Sequence, residues 1–311
     1  MPIIEVEGLV KTYGKTNVVD GITFSVDEGE IFGIVGPNGA GKTTTVESVV
    51  GLRKPDSGRI NVLGLNPIED RFELTEQVGA QLQEGRLQDK IRVSEAIEMY
   101  ASFYRNPKDW RKLLDQLGLG TKADSQYRNL SGGQKQRLSV ALALIGSPTI
   151  AVLDELTTGL DPQARRSTWD TIERIRDDGV TVVLVTHFME EAERLCDRIM
   201  VVDQGRVAAT GSPAELIERI GGDQLLRFRP SEPIDDADLK ELVEVDSVEH
   251  RGSNVVVKGH GNVVHAVTSL LARRRIIAHE FRVDQTGLED AYLEITSDRR
   301  SRGNDVEREA S

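Results

Sequence analysis

Apolar and polar positions change period several times along the 311-residue chain, and each change marks an element. Ile3-Ile-Glu-Val-Glu-Gly-Leu-Val partly alternates, as a half-buried strand does, and Tyr13-Gly14 ends it. Gly21 to Val26 predicts a second strand and Asp27-Glu-Gly29 a turn. Ile31 to Val35 is apolar without a break, the pattern of a strand buried on both faces. Thr44 to Leu52 can be helical, Lys54-Pro-Asp-Ser-Gly58 is a turn, and Arg59 to Leu63 is a short strand. From about residue 84 to 145 the pattern is largely helical. Ser94 predicts an N-cap for Glu95 to Arg105, and Asn106-Pro107 a cap with proline at the first helical position. Trp110, Leu113, Leu114 and Leu117 then fall on one helix face, and Gly118 stops it.

Beyond this stretch the alternation of strand and helix resumes. Ser131 predicts the N-cap of a helix through Ile145. Thr149 to Leu153 and Val180 to Thr186 are apolar strands, the first closed by Asp154-Glu155 and the second by His187. Asp161-Pro162 caps and opens a helix between them. Met189 to Cys196 reads as helix, and Arg198 to Ala209 as a hairpin around Asp203-Gln-Gly205. Apolar strands alternating with helices predict an α/β fold with a mostly parallel sheet. Loops at the C-terminal ends of such strands carry function, and Gly36, Asp154 and His187 lie there. Around Gly221-Gly222-Asp223 the pattern changes to strand, helix, strand, helix, strand. The organisation predicted is a main domain over 1–220, a small α+β domain over 221–297, and a charged, disordered tail over 298–311.

Composition narrows the function classes. The net charge of −12 argues against nucleic acid as a partner. Cys196 is the only cysteine, so no internal disulfide or cysteine-based zinc cluster forms. His260 and His265 have a spacing that some zinc sites use, but no paired cysteines accompany them. The most apolar stretch, Leu138 to Leu153, is broken by Gly146-Ser-Pro148, and no signal peptide opens the chain. The expectation is a soluble, cytoplasmic protein.

The strongest chemical signal is Gly36-Pro37-Asn38-Gly39-Ala40-Gly41-Lys42-Thr43-Thr44, set between a strand and a helix. This is the phosphate-binding G-x-x-x-x-G-K-T loop in its expected context. Its glycines let successive N–H groups curl around a phosphate. Lys42 supplies charge to the β- and γ-phosphates, and Thr43 offers a hydroxyl to Mg²⁺. The loop predicts a nucleoside triphosphate and leaves its use open.

Leu130-Ser131-Gly132-Gly133-Gln134 lies between this loop and the acidic strand end. Tyr13, Gln83, Asp154-Glu155, Asp161 and His187 stand around these motifs in a fixed order. Over residues 3 to 215 the chain resembles the ABC ATPase family, whose motifs these match. The resemblance implies a P-loop NTPase core with an N-terminal antiparallel β subdomain, a helical insert and, here, the α+β appendage. It implies ATP and Mg²⁺ as cofactors. Tyr13 would stack on adenine, Asp154 would hold Mg²⁺, Glu155 would polarise the attacking water, and His187 would contact the γ-phosphate. Gln83 would reach both metal and water and couple them to the helical insert. Ser131, Gly132, Gly133 and Gln134 would close on the γ-phosphate of a second subunit, head to tail, with Asp161 at that interface. Leu156 stands where most members have proline, which stiffens the turn.

The helical insert resembles the part that docks on a permease. The expectation is an ATPase subunit, peripheral on the inner face of the membrane, serving a permease on a separate chain. Thr286 to Thr296 resembles the ending of bacterial drug-exporter ATPases of the daunorubicin-resistance kind, which favours export. The rival is a soluble ABC ATPase acting on ribosomes or DNA. Against it stand a single P-loop, a single LSGGQ, and no coiled-coil or zinc-binding insertion.

Overall fold

The computed structural model describes residues 1–82, 87–220, 224–285 and 287–297. The chain divides after Pro213 into two compact units. In the first, β1 (Pro2–Tyr13), β2 (Thr16–Asp27), β3 (Ile31–Val35) and α1 (Lys42–Val49) lead to β4 (Ser57–Val62). Then come α2 (Arg71–Gln77), β5 (Val78–Gln81), α3 (Val93–Ala101), α4 (Trp110–Gln116) and α5 (Gly132–Leu144). β6 (Ile150–Asp154), α6 (Pro162–Asp177), β7 (Thr181–Thr186), α7 (Met189–Leu195), β8 (Arg198–Asp203) and β9 (Arg206–Gly211) complete it, and α8 (Pro213–Arg219) begins at the division.

The main sheet has the order β5-β6-β7-β3-β8-β9. Its strands run parallel except β9, which pairs antiparallel with β8. Every residue of β3, β6 and β7 is buried, which is why their sequences are apolar without alternation. A second sheet, β2-β1-β4, is antiparallel and alternates, because one face stays wet. One core serves both sheets: Ile4, Val6, Ile22 and Val26 pack with Ile34, Val46, Val183 and Met200. The rings of Phe24 and Phe32 stack at 5.5 Å across the seam. Each such side chain contributes roughly 1.5–3 kcal/mol on burial, so the platform beneath the strand ends is rigid.

Three local expectations are corrected. α3 starts at Val93, not after Ser94, because Glu95 Oε2 accepts from the N–H of Arg92 at 2.8 Å. α4 starts at Trp110, not at Pro107, because the Asp109 carboxylate accepts from the N–H groups of Arg111 and Lys112. β5 was not foreseen from the sequence. It is a four-residue strand containing glycine, and a Cβ on Gly79 would run into the carbonyl of Ala143.

The second unit contains β10 (Gln224–Pro230), α9 (Asp236–Lys240), β11 (Val245–Arg251), β12 (Asn254–Gly259), α10 (Val263–Arg274) and β13 (Ala278–Gln285), then a helix over 288–297. The antiparallel order β11-β12-β10-β13 is that of a split βαβ module. Leu226, Phe228, Val255, Val257, Val263 and Val267 fill its core. β11 has no counterpart in the strand, helix, strand, helix, strand pattern of the sequence; it is an edge strand whose residues are exposed except for the half-buried Val245 and Val248. Too few apolar positions recur there to show a period of two.

Candidate active site

β3 ends at Val35, and the chain turns at once into α1. Glycine is required at both ends of the turn. A Cβ on Gly36 would run into the carbonyl of Val202, and one on Gly41 into that of Val18. Gly41 also adopts a left-handed φ of 100°. The N–H of Ala40 donates to Pro37 O at 3.2 Å, and the N–H of Gly205 braces the loop from the β8–β9 turn by donating to Ala40 O at 3.0 Å. α1 begins with no side-chain cap, so its first N–H groups are the kind of donors that a phosphate satisfies.

Lys42 is buried, and its Nζ donates to Gly36 O at 2.8 Å and Pro37 O at 3.0 Å. Burial lowers its pKa, while the carboxylates of Glu155 and Asp154 oppose that shift. A recess of about 200 Å³ is lined by Val18, Asn38, Gly39, Gly41, Lys42, Thr43, Thr44 and Glu155. Its lining joins the glycine loop to an acid more than a hundred residues away.

Asp154 closes β6 opposite Val185 of β7 and is 1% exposed. Its Oδ2 accepts from Thr43 Oγ1 at 3.2 Å. Its Oδ1 is buried without a hydrogen bond among the described residues. Burial pushes the carboxyl up to about 6; the Thr43 hydroxyl opposes this, and the neighbouring Glu155 charge adds to it. A buried carboxylate with an unpaired oxygen, beside a threonine hydroxyl, is a donor set that suits a hard divalent cation. These residues therefore fit Mg²⁺.

Glu155 takes a left-handed φ of 51°, strained for a residue with a side chain, and its N–H donates to Val185 O at 2.9 Å. Its Oε1 lies 3.1 Å from Nδ1 of His187. Its Oε2 accepts from Thr158 Oγ1 at 3.4 Å.

A second recess, of about 320 Å³, is lined by Ser131, Gly133, Arg137, Asp161, Gln163, Ala164 and Ser167. The helices α5 and α6 begin side by side here. A Cβ on Gly133 would stand 3.2 Å from the Cβ of Ala164, and one on Gly132 would stand 3.5 Å from Leu160. Ser131 and Gln134 form a capping box: Ser131 Oγ accepts from the N–H of Gln134 at 3.3 Å, and Gln134 Oε1 from the N–H of Ser131 at 3.0 Å. Asp161 Oδ1 accepts from the N–H groups of Gln163 and Ala164, both at 3.0 Å. The two recesses share no lining residue.

Tyr13 is 42% exposed, with the Arg53 guanidinium 5.4 Å and the Lys11 ammonium 6.0 Å from its ring centroid, and it does not line the glycine-loop recess. Gln83 lies outside the described residues. Val18 and Arg137 were missed by the sequence reading. Val18 lines the recess with its carbonyl close against Gly41, and a valine carries no chemical signature. Arg137 stands three residues beyond Gln134, one helical turn on, and that spacing was the available signal.

A family profile described as ABC transporter matches residues 19–158. The Nod factor export ATP-binding protein I of Ralstonia nicotianae is 45% identical over 221 residues, covering 70% of this chain and 69% of the relative. The linearmycin resistance ATP-binding protein of Bacillus subtilis is 34% identical over 309 residues, 94% of this chain and 98% of the relative. Among solved structures, an ATP-binding subunit of an ABC transporter superposes with a TM-score of 0.64 at 28% identity, covering 70% of this chain and 93% of that one. A dimeric ATP-binding cassette in a post-hydrolysis state, bound to ADP and Pi, gives 0.61 at 27% identity, covering 67% and 98%. With its glycine loop, LSGGQ helix and acidic strand end on this fold, the chain belongs to the ABC transporter family as one of its ATP-binding cassettes.

Proposed function

We propose that this chain hydrolyses ATP as a head-to-tail homodimer and powers a separately encoded membrane permease that exports a drug-like or lipophilic compound. The observation that carries the reading is the division of the site. The glycine loop, Lys42 and Glu155 line one recess, while Ser131, Gly133 and Asp161 line another. Each is half of a phosphate site, and a second copy turned head to tail supplies the missing half. A dimeric cassette bound to ADP and Pi is among the solved relatives.

In this reading Lys42 and the α1 N–H groups hold the β- and γ-phosphates. Glu155 takes the proton from the attacking water, and His187 keeps the Glu155 carboxylate in line through Nδ1. Thr43 and Asp154 would hold Mg²⁺, which when bound neutralises charge developing on the phosphates. Gln83 and Tyr13 keep the roles that the family resemblance implies.

The permease assignment rests on exposed apolar side chains. Phe72 on α2 is 92% exposed and Phe103, just past α3, 68% exposed. The two segments are tied where the N–H of Arg105 donates to Glu76 Oε2 at 3.5 Å. Large exposed aromatics on neighbouring segments mark a surface made to be covered. No described helix is long and apolar enough to cross a membrane. Both relatives named above carry export or resistance names, which supports the outward direction. Affinity isolation from detergent-solubilised membranes tests the reading. The expected result is recovery of a multi-span protein whose presence raises ATP turnover. Recovery with ribosomes or DNA, and no membrane protein, overturns it.

A further inference from the structure

Tyr13 closes β1, and across the turn it pairs with Thr16 at the start of β2. Val18, two residues further along β2, lines the glycine-loop recess with its carbonyl close against Gly41. Two residues of strand span roughly 7 Å, a spacing that a ribose bridges between phosphate and base. What holds the Tyr13 ring comes from outside its own strand. Arg53 follows α1, and its guanidinium lies 5.4 Å from the ring centroid. Its Nε donates to Glu47 Oε2 of α1 at 2.6 Å, and its N–H donates to the Glu47 carbonyl at 3.1 Å. Both ends of Arg53 are therefore tied to the helix that begins with Lys42 and Thr43.

The turn after Arg53 clamps the end of β1. Asp56 Oδ1 accepts from Lys11 Nζ at 2.8 Å, and Oδ2 accepts from the N–H of Thr12 at 2.7 Å. The N–H of Asp56 donates to Val10 O at 2.9 Å, and Lys11 Nζ donates to Lys54 O at 2.8 Å. The Lys11 ammonium, 6.0 Å from the ring centroid, is thereby committed to the turn, and Arg53 is the cation that faces the ring more closely. Ion pairs this near the surface add little stability, so what they supply here is geometry. A cation over a tyrosine ring is drawn to its π face. Tyr13, 42% exposed, would otherwise be free to swing, and a ring already oriented costs less to order when a base stacks on it.

We propose that Arg53 is a positioning residue for the nucleobase: held by Glu47, it orients the Tyr13 ring to receive adenine and ties that platform to the helix carrying the phosphate-binding residues. The inference rests on the stacking role of Tyr13 in the reading above. The test is calorimetric titration of the full chain with MgATP and, separately, with magnesium tripolyphosphate, which has no base. Arg53→Met keeps the apolar stem and removes the guanidinium. The expected result is a rise in Kd for ATP of about fivefold, with Kd for tripolyphosphate within about twofold. Glu47→Gln, which loosens the hold on Arg53, should shift ATP in the same direction. Beside Tyr13→Ala, Arg53→Met should have no further effect on ATP, because the ring it orients is gone. A merely structural role would disturb α1 and weaken both ligands by the same factor; that result, or an unchanged Kd for ATP, overturns the proposal. Tyr13→Ala that binds ATP as wild type does overturns the stacking role and this inference with it. Tyr13→Ala that weakens ATP, while Arg53→Met does not, overturns only this inference.

Discussion

Oε1 of Glu155 stands 3.1 Å from Nδ1 of His187, although the two residues are 32 positions apart. The contact follows from β6 and β7 being parallel neighbours whose C-terminal ends lie level. Glu155→Gln keeps the shape but cannot take a proton. It should bind ATP, lose about 10²–10⁴-fold in turnover, and accumulate as a nucleotide-bound dimer in gel filtration. Wild-type turnover would remove Glu155 from the role of base.

Asp154 carries a pH-dependent cost. Its carboxyl is raised from 3.8 to about 6, so the fold disfavours the charged form. The cost is absent below the unfolded pKa, grows as pH rises from there to about 6, and is present in full above it. Without divalent cation, Asp154→Asn should therefore be more stable than wild type at pH 8 by up to about 3 kcal/mol, and equal to it near pH 4. Urea denaturation midpoints in chelator at the two pH values check this. The same variant should lose Mg²⁺-dependent hydrolysis.

Gly41→Ala places a methyl group against the Val18 carbonyl at a left-handed φ. The expected cost is about 1–3 kcal/mol, together with loss of nucleotide binding, because relief of the clash must move the loop. Thermal melts and ATP titration read the two effects separately.

Ser131→Ala removes the acceptor for the Gln134 N–H. Loss of the cap should cost about 1 kcal/mol. Because Ser131 lies in the second recess, ATP binding by one chain should survive while turnover by the dimer falls. Equal loss of both would place Ser131 with the glycine loop instead.

Phe72→Ser changes a side chain that is 92% exposed, so stability and basal ATP hydrolysis should hold. Binding to the permease should weaken, as read by co-purification. Unaltered co-purification would move the docking surface elsewhere.

The local chemistry of this protein was written into short stretches of its sequence. The glycine loop, the capping box at Ser131, the Asp161-Pro162 helix start and the acid-ended strand each depend on neighbours within a few residues. Hydrogen bonds of that range are set by spacing alone. The buried strands were legible for a related reason: β3, β6 and β7 are covered on both faces and must be apolar throughout.

Other features had no local signature. β5 and β11 are short or lie at an edge, and their pairing partners define them more than their own residues do. The true starts of α3 and α4 depended on which of several nearby polar groups captured the free N–H groups. The separation of the two recesses and the approach of Val18 and Val202 to the glycine loop were decided only by the tertiary structure. Sequence determined which groups were available to bind phosphate, because those groups act through adjacent backbone. Tertiary packing decided which of them share a recess, because the parallel sheet order brings together strand ends that the chain keeps far apart.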